Sequence, residues 1–352
     1  MKEKTVPYDI IDLSYNKWRE RKVFLVQSEI DALEKLKAHF QHPDVYHTTY
    51  LRNNITHWVT SDHFDLLLFT AHGGHVRALG LFNQSTKTIT ELIGDFPFLL
   101  ELFIITTPTI LGEDSWPLEI LPESIGNLSR LKVLKIGGFK DLKVLPETIR
   151  DLQSLKSLEV TRCGVRSIPN SIGRLKNLKR LMLWNIKQLE RVPETIGELK
   201  SLITLSLEEN NLVALPDSIG NLKYLKKLYA HNNHLREIPQ TILKLTYLDD
   251  LSMEHNELGT VPGWIGSLIS LTSLSLDDNQ LTNLPEVIGN LSSLKWLSVR
   301  RNQLQALPEY LLDFNLLEGL NLEGNKKLRV PPKMKELLES RGVDVRIYYS
   351  YK

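Results

Sequence analysis

A phrase of 23 residues returns along most of the chain, and it constrains the fold more than any other feature of the sequence. From Leu202 the chain reads LITLSLEENNLVALPDSIGNLKY, and from Leu225 LKKLYAHNNHLREIPQTILKLTY; the phrase returns from Leu248, Leu271 and Leu294. Its template is L-x-x-L-x-L-x-x-N-x-L-x-x-L-P-x-x-I-G-x-L-x-x. Self-similarity at a fixed period of this size marks a solenoid, in which each unit buries its apolar face against its neighbours. The register extends to starts at Val76, Leu99, Leu131, Leu155, Leu178 and Leu317, eleven in all. Units of 24 residues begin at Leu131 and Leu178, and the step from Leu99 to Leu131 is 32, nine more than the period.

The template has a physical reading. Around its second and third leucines the side chains alternate, as in Leu205-Ser206-Leu207, so a short strand is expected with the leucines inward and the serine outward. Strands of successive units stack in parallel about 4.8 Å apart. In the return half, Pro216 suits a first helical position and Asp217 a helix N-terminus. Ile219 and Leu222 then point inward. A short helical or 3-10 turn on the convex side is expected, wider than a strand, bending the stack into a horseshoe. The ninth position holds Asn210, Asn233, Asn256, Asn279, Asn302 and Asn325. Asparagine both donates and accepts, so it can satisfy the backbone where each strand turns away. Cys163 fills the same position and is expected to be a packed ladder residue.

These residues resemble the leucine-rich-repeat family, particularly its intracellular Ras-group type with the LPxxIGxL phrase. The 24-residue units, with GGFKDLKVLPETI and LWNIKQLERVPETI, resemble repeats of plant disease-resistance proteins. The resemblance covers residues 76–330. It implies an α/β fold: a leucine-rich-repeat solenoid with a parallel concave sheet, capped at residues 1–75 and 331–352. It also implies a protein partner, such as a small GTPase or another signalling protein.

The ends read as caps. Ser28-Glu29-Ile30-Asp31 suggests a capping box opening a helix to about Phe40, with Ile30, Leu33, Leu36 and Phe40 as its apolar stripe. The stretch from Trp58 into Gly73-Gly74 is similar to the N-terminal cap of plant receptor ectodomains, without that cap's disulfide cysteines. Pro331-Pro332 precedes a helix-like KMKELLESRG, and Val343, Val345 and Ile347 alternate as a closing strand. Residues 1–27 carry little readable pattern. The insertion TTPTILGEDSWPL at 106–118 is expected to protrude as a loop, with Trp116 a candidate contact.

Charge and cysteine content narrow the function. Lys+Arg 43 against Asp+Glu 42 leaves no overall basic surplus, so no nucleic-acid partner is expected. The single cysteine excludes an internal disulfide and suits a reducing, cytoplasmic setting. The longest apolar stretch, Phe96 to Ile105, contains Glu101 and is about half of a membrane span. Sequons at Asn54, Asn83, Asn127 and Asn290 would favour secretion, but the last two fall out of the recurring Gly-Asn-Leu-Ser phrase. The chain has no phosphate loop, no nucleophile elbow and no His-Glu-x-x-His pair, so no catalytic, cofactor or metal site is expected. His72-Gly73-Gly74-His75 reads as a turn, and Lys17 to Lys22 as a solvated basic run.

Function therefore rests on residues that the template leaves free. Positions 3, 5 and 7 of each strand face the concave side. There Phe82, Phe103, Ile105, Met182 and Trp184 are large apolar groups that the template does not require, which suggests an interface. Glu208, Glu209, Glu254, Asp277 and Asp278 form an acidic patch for a basic partner surface, with Tyr229 and His231 within it and Trp296 and Arg300 at its far rim. His231 is expected between Glu208 and Glu254. The expected role is a monomeric, non-catalytic binding scaffold. The competing readings are a ligand-sensing repeat domain and a purely structural or adhesive protein.

Overall fold

The computed structural model describes residues 5–12, 19–39, 44–47, 66–82, 87–106 and 117–347. Phe40, Trp58, Asn54, Asn83, Lys17 and Trp18 lie outside them, as do Trp116 and nearly all of the 106–118 insertion. The side chain of Phe82 is likewise outside what is described. The chain divides into two compact units, residues 1–180 with 186–188, and residues 181–185 with 189–352.

The first unit opens with an antiparallel hairpin, β1 (Thr5–Asp12) and β2 (Arg19–Val26), in the segment where the sequence shows least pattern. Helix α1 (Gln27–His39) follows, then β3 (Asp44–His47), β4 (Leu66–His72) and β5 (His75–Phe82). Strands β4 and β5 form a second hairpin, turning at Gly73 and Gly74 with positive φ. The His72–His75 segment is thus the turn that the sequence suggests. From β5 the stack becomes parallel through β6 (Glu101–Ile105), β7 (Val133–Gly137) and β8 (Ser157–Thr161). Ile30, Leu33 and Leu36 of α1 are buried as expected. Ser28 is not the cap of this helix, which begins one residue earlier at Gln27. Glu29 instead turns inward, is 1% exposed, and accepts a hydrogen bond from the Val76 N–H at 2.7 Å. Burial holds its carboxyl above the usual range.

The second unit holds nearly all of β9 (Arg180–Trp184), then β10 (Thr204–Ser206), β11 (Lys227–Tyr229), β12 (Asp250–Ser252), β13 (Ser273–Ser275), β14 (Trp296–Ser298), β15 (Gly319–Asn321) and β16 (Asp344–Arg346). From β10 to β16 adjacent strands are parallel and in register: Leu205 lies opposite Leu228, Leu228 opposite Leu251, and so on to Leu320 opposite Val345. Helix α2 (Pro332–Ser340) buries Met334 and Leu338 before the closing strand.

A 3-10 turn such as Asp217–Asn221 returns each repeat. Pro216 does not occupy the first helical position; it is the residue before it, with φ −68 and ψ 145. Its ring presets φ while the extended ψ swings the chain into the turn. The acidic residue caps the next repeat rather than its own. Glu194 accepts from the Ser218 N–H at 2.9 Å, as Glu91 accepts from Ser124 in the first unit. Adjacent turns touch closely enough that a Cβ on Gly220 would stand 2.3 Å from the Thr241 carbonyl oxygen. That approach explains the glycine of the Ile-Gly phrase.

The ninth-position asparagines form the expected ladder. The Asn256 Nδ2 group donates to the carbonyls of Ala230 at 3.0 Å and Met253 at 3.1 Å, and its Oδ1 accepts from the Leu235 N–H at 3.0 Å. Asn233, Asn279 and Asn302 repeat the pattern. Cys163 is buried, donates weakly to the Thr161 carbonyl at 3.2 Å, and has its thiol pushed up to about 11 by burial. It is a packed ladder residue.

Candidate functional site

The open face of the second unit gathers most of the residues that the template leaves free. Because β10 to β14 are parallel and in register, equivalent positions fall into straight columns about 4.8 Å apart. At position 7 these are Glu208, His231, Glu254, Asp277 and Arg300, all partly exposed. Met182, Trp184 and Tyr229 are also partly exposed, and Trp296 is 49% exposed.

Their neighbours hold these side chains in place. The Tyr229 hydroxyl donates to Asp250 Oδ2 at 2.8 Å, and Lys227 Nζ lies 3.8 Å from the same oxygen. Burial, and then the Asp250 carboxylate, push the phenol well above its usual range. His231 Nδ1 lies 3.2 Å from Ser252 Oγ and 3.8 Å from Glu254 Oε2, while Ser252 Oγ donates to that same Glu254 oxygen. Asp277 Oδ1 accepts from Ser298 Oγ at 2.5 Å and from the Arg300 N–H at 2.7 Å. Burial nevertheless holds the Asp277 carboxyl above its usual value. Arg300 in turn reaches Glu323 at 4.0 Å. Trp296 lies against Gly319, whose missing Cβ would stand 2.2 Å from Cζ3 of the indole. Glycine on the next strand is what lets this ring lie down while half exposed.

The serine, histidine and glutamate are not arranged as a nucleophile relay. Such a relay needs the imidazole between hydroxyl and carboxylate. Here the hydroxyl stands between the other two, so its proton is already committed to the acid. Among the described residues no three of His, Cys, Asp and Glu converge to hold a metal ion.

Two expectations about exposure fail. Phe103 on β6, in the first unit, is 1% exposed and among the largest fully buried side chains, so it packs rather than presents itself to a partner. It lies in register with Gly80 and Lys135 on a face where neighbours 4.8 Å away close over a side chain. Ile105, two residues on, is partly exposed. Ser206, expected outward, is 1% exposed in register with Tyr229, and its hydroxyl has no partner among the described residues.

The sequence reading puts Asp250, Ser252 and Ser298 on the concave side but does not identify them as the side chains that fix the row. It counts Glu209 and Asp278 of the eighth position among the acidic residues but misses that the chain turns left-handed there. Glu209, Asn232, His255, Asp278 and Arg301 have φ between +50 and +54 or, for Arg301, +48. Three of these form a chain beside the row, with His255 3.4 Å and Arg301 3.6 Å from Asp278. The signal was present, because this position holds Gly138 and Gly324 in other repeats. Away from the row, a groove of about 660 Å³ runs between the loops carrying Val213, Pro216, Ile238 and Trp264.

Comparison with known proteins agrees with this architecture. A family model described as leucine-rich repeat region matches residues 75–211 and 171–262, and a second, leucine rich repeat, matches 269–326. No curated protein matches the sequence. Among solved structures, the Arabidopsis receptor kinase HAESA, in complex with the peptide hormone IDA and the co-receptor SERK1, is similar with a TM-score of 0.62 at 19% identity. That match covers 92% of this chain and 54% of the other. The Arabidopsis GASSHO1/SCHENGEN3 ectodomain gives 0.59 at 21%, covering 92% and 44%, and an internalin from Listeria monocytogenes gives 0.58 at 17%, covering 79% and 86%. The chain therefore spans about half the length of the two plant receptor-kinase chains.

Proposed function

This chain belongs to the leucine-rich-repeat family, and on that premise we propose that it is a binding scaffold that holds a partner protein on the open face of its second unit. Repeat domains of this family are in general protein-interaction modules without catalysis. One observation carries the choice of face. Over five neighbouring strands, side chains that the repeat does not need for folding stand partly exposed and are held by one another: Tyr229 by Asp250, His231 by Ser252, Asp277 by Ser298. Side chains fixed before binding lose less freedom on association, which favours affinity.

Trp184, Met182 and Tyr229 supply the apolar anchor. Glu208, Glu254 and Asp277 steer a basic surface, with Trp296 and Arg300 at the rim. The partner is a signalling protein, a small GTPase among the candidates, met by a monomer in the cytoplasm. The lone buried thiol of Cys163 suits that compartment. No helix among the described residues is long and apolar enough to cross a membrane.

The test is to isolate a partner and measure its affinity for variants that keep the wild-type melting temperature. Trp184→Ala is expected to cost about 2 kcal/mol or more of binding, as hot-spot aromatics do. Glu254→Lys with Asp277→Lys is expected to slow association and remove its salt dependence. Wild-type binding by both folded variants would move the site elsewhere, first to the groove at Trp264.

A further inference from the structure

We propose that the first unit carries a second interaction surface, a lysine strip along the leading edge of its strands that takes an acidic helical segment of a partner protein. The overall charge of +1 conceals it. Between residues 130 and 180 there are 13 Lys and Arg against four Asp and Glu, Asp141, Glu147, Asp151 and Glu159. Three of those carboxylates are engaged locally: Asp141 by Lys143, Asp151 by Arg150 and Glu159 by Lys135.

The repeat places the remaining charge in a line. The second position of successive units holds Arg77, Leu100, Lys132, Lys156 and Lys179. Their backbones are bonded in sequence: Leu100 N to Arg77 O at 2.7 Å, Lys132 N to Leu100 O at 2.7 Å, Lys156 N to Lys132 O at 2.8 Å, and Lys179 N to Lys156 O at 2.9 Å. Lys132, Lys156 and Lys179 are exposed, and among the described residues nothing pairs their ammonium groups. Like charges on neighbouring strands repel, and the fold offers nothing here to offset it. Arg130, also exposed, extends the strip beside Lys132.

Three features select an acidic helix over other polyanions. Three lysines at strand spacing span about 10 Å. Carboxylates at i, i+4 and i+7 of a helix cover a similar length, at about 1.5 Å of rise per residue. Leu100, partly exposed within the line, offers an apolar contact that such a helix can use. The aromatic rings at this edge are already occupied: His75 stacks on Phe98 at 3.7 Å, and the Arg130 guanidinium sits over Phe98 at 4.5 Å. Among the described residues no open ring is left at this edge on which a base could stack. For a membrane surface the edge offers no wedge, because Ile120 and Val144, the exposed large apolar groups of these repeats, lie beyond the strands on the way to the turns.

The experiment uses the full chain and a fluorescent helical peptide with glutamates at i, i+4 and i+7, read by anisotropy. The expected result is binding that weakens steeply with salt and falls at least tenfold in Lys132→Glu/Lys156→Glu/Lys179→Glu. The control Lys326→Glu/Lys327→Glu/Lys333→Glu makes the same charge change at exposed lysines of the second unit and is expected to keep binding within twofold. Both variants are checked by melting temperature. Equal losses in the two triples would reduce the effect to net charge and overturn the proposal. So would absence of peptide binding, or tighter strip-dependent binding to single-stranded RNA or to phosphatidylserine vesicles. Trp184→Ala is expected to leave peptide binding unchanged, which separates this surface from the one on the second unit.

Discussion

The two units solve the same problem, the free backbone at the end of each strand, by different means. In the second unit an asparagine side chain ties two carbonyls in each repeat and, from Asn233 to Asn325, one N–H as well, as Asn256 does for Ala230, Met253 and Leu235. In the repeats that start at Leu131, Leu155 and Leu178 the ninth position holds Phe139, Cys163 and Ile186, all buried, none with an amide. There the backbone bonds between neighbouring loops, which the second unit also has, act without an amide beside them. The Phe139 carbonyl accepts from the Gly164 N–H at 3.0 Å, and Arg166 N bonds to Lys143 O at 3.1 Å. The close approach needs glycine, since a Cβ on Gly164 would stand 1.9 Å from the Lys140 carbonyl oxygen. Three repeats of this solenoid thus join neighbouring loops without the amide of the side-chain ladder.

The largest expected effect tests the asparagine side of this comparison. Asn256→Ala leaves a buried N–H and two carbonyls without their partner and should cost about 3 kcal/mol in chemical denaturation. A loss below about 0.5 kcal/mol would show that water or backbone replaces the amide. Next comes Gly164→Ala, expected to destabilise by about 2 kcal/mol because backbone must move to admit the methyl group. The same substitution at Gly259, with open space around its Cβ position, is the control and should be nearly neutral. If Gly164→Ala is also neutral, the first unit's loops are not packed as tightly as the second unit's ladder.

The smallest effect compares buried carboxylates. Glu29 in the first unit and Asp277 in the second both have carboxyls raised by burial. For a raised acid the contribution to stability is present below the unfolded value, about 4 for aspartate, and is lost as pH rises through the higher folded value. Asp277→Asn keeps an acceptor for Ser298 and Arg300 and removes the buried charge. It should raise the melting temperature slightly at pH 7, with the difference disappearing near pH 3. A lower melting temperature at pH 7 would mean that its hydrogen bonds outweigh its burial.

Much was legible in the sequence because the repeat enforces it. Eleven copies of one phrase determine where each strand starts, which leucines face inward and which asparagines bridge, since parallel strands in register leave each position one environment. The columns of Glu208, His231, Glu254 and Asp277, and of Lys132, Lys156 and Lys179, follow from that counting alone. Tertiary structure alone decided what the counting does not reach. The β1–β2 hairpin lies in a segment that the repeat does not reach, so counting from the repeat cannot place it. Phe103 and Ser206 stand at nominally open positions yet are buried, because lateral neighbours close over them. Local pattern also places Glu29 in a capping box, whereas folding brings it to Val76, 47 residues away, where a strand's N–H needs an acceptor. Periodicity reports which face a side chain leaves by; only packing decides whether solvent waits there.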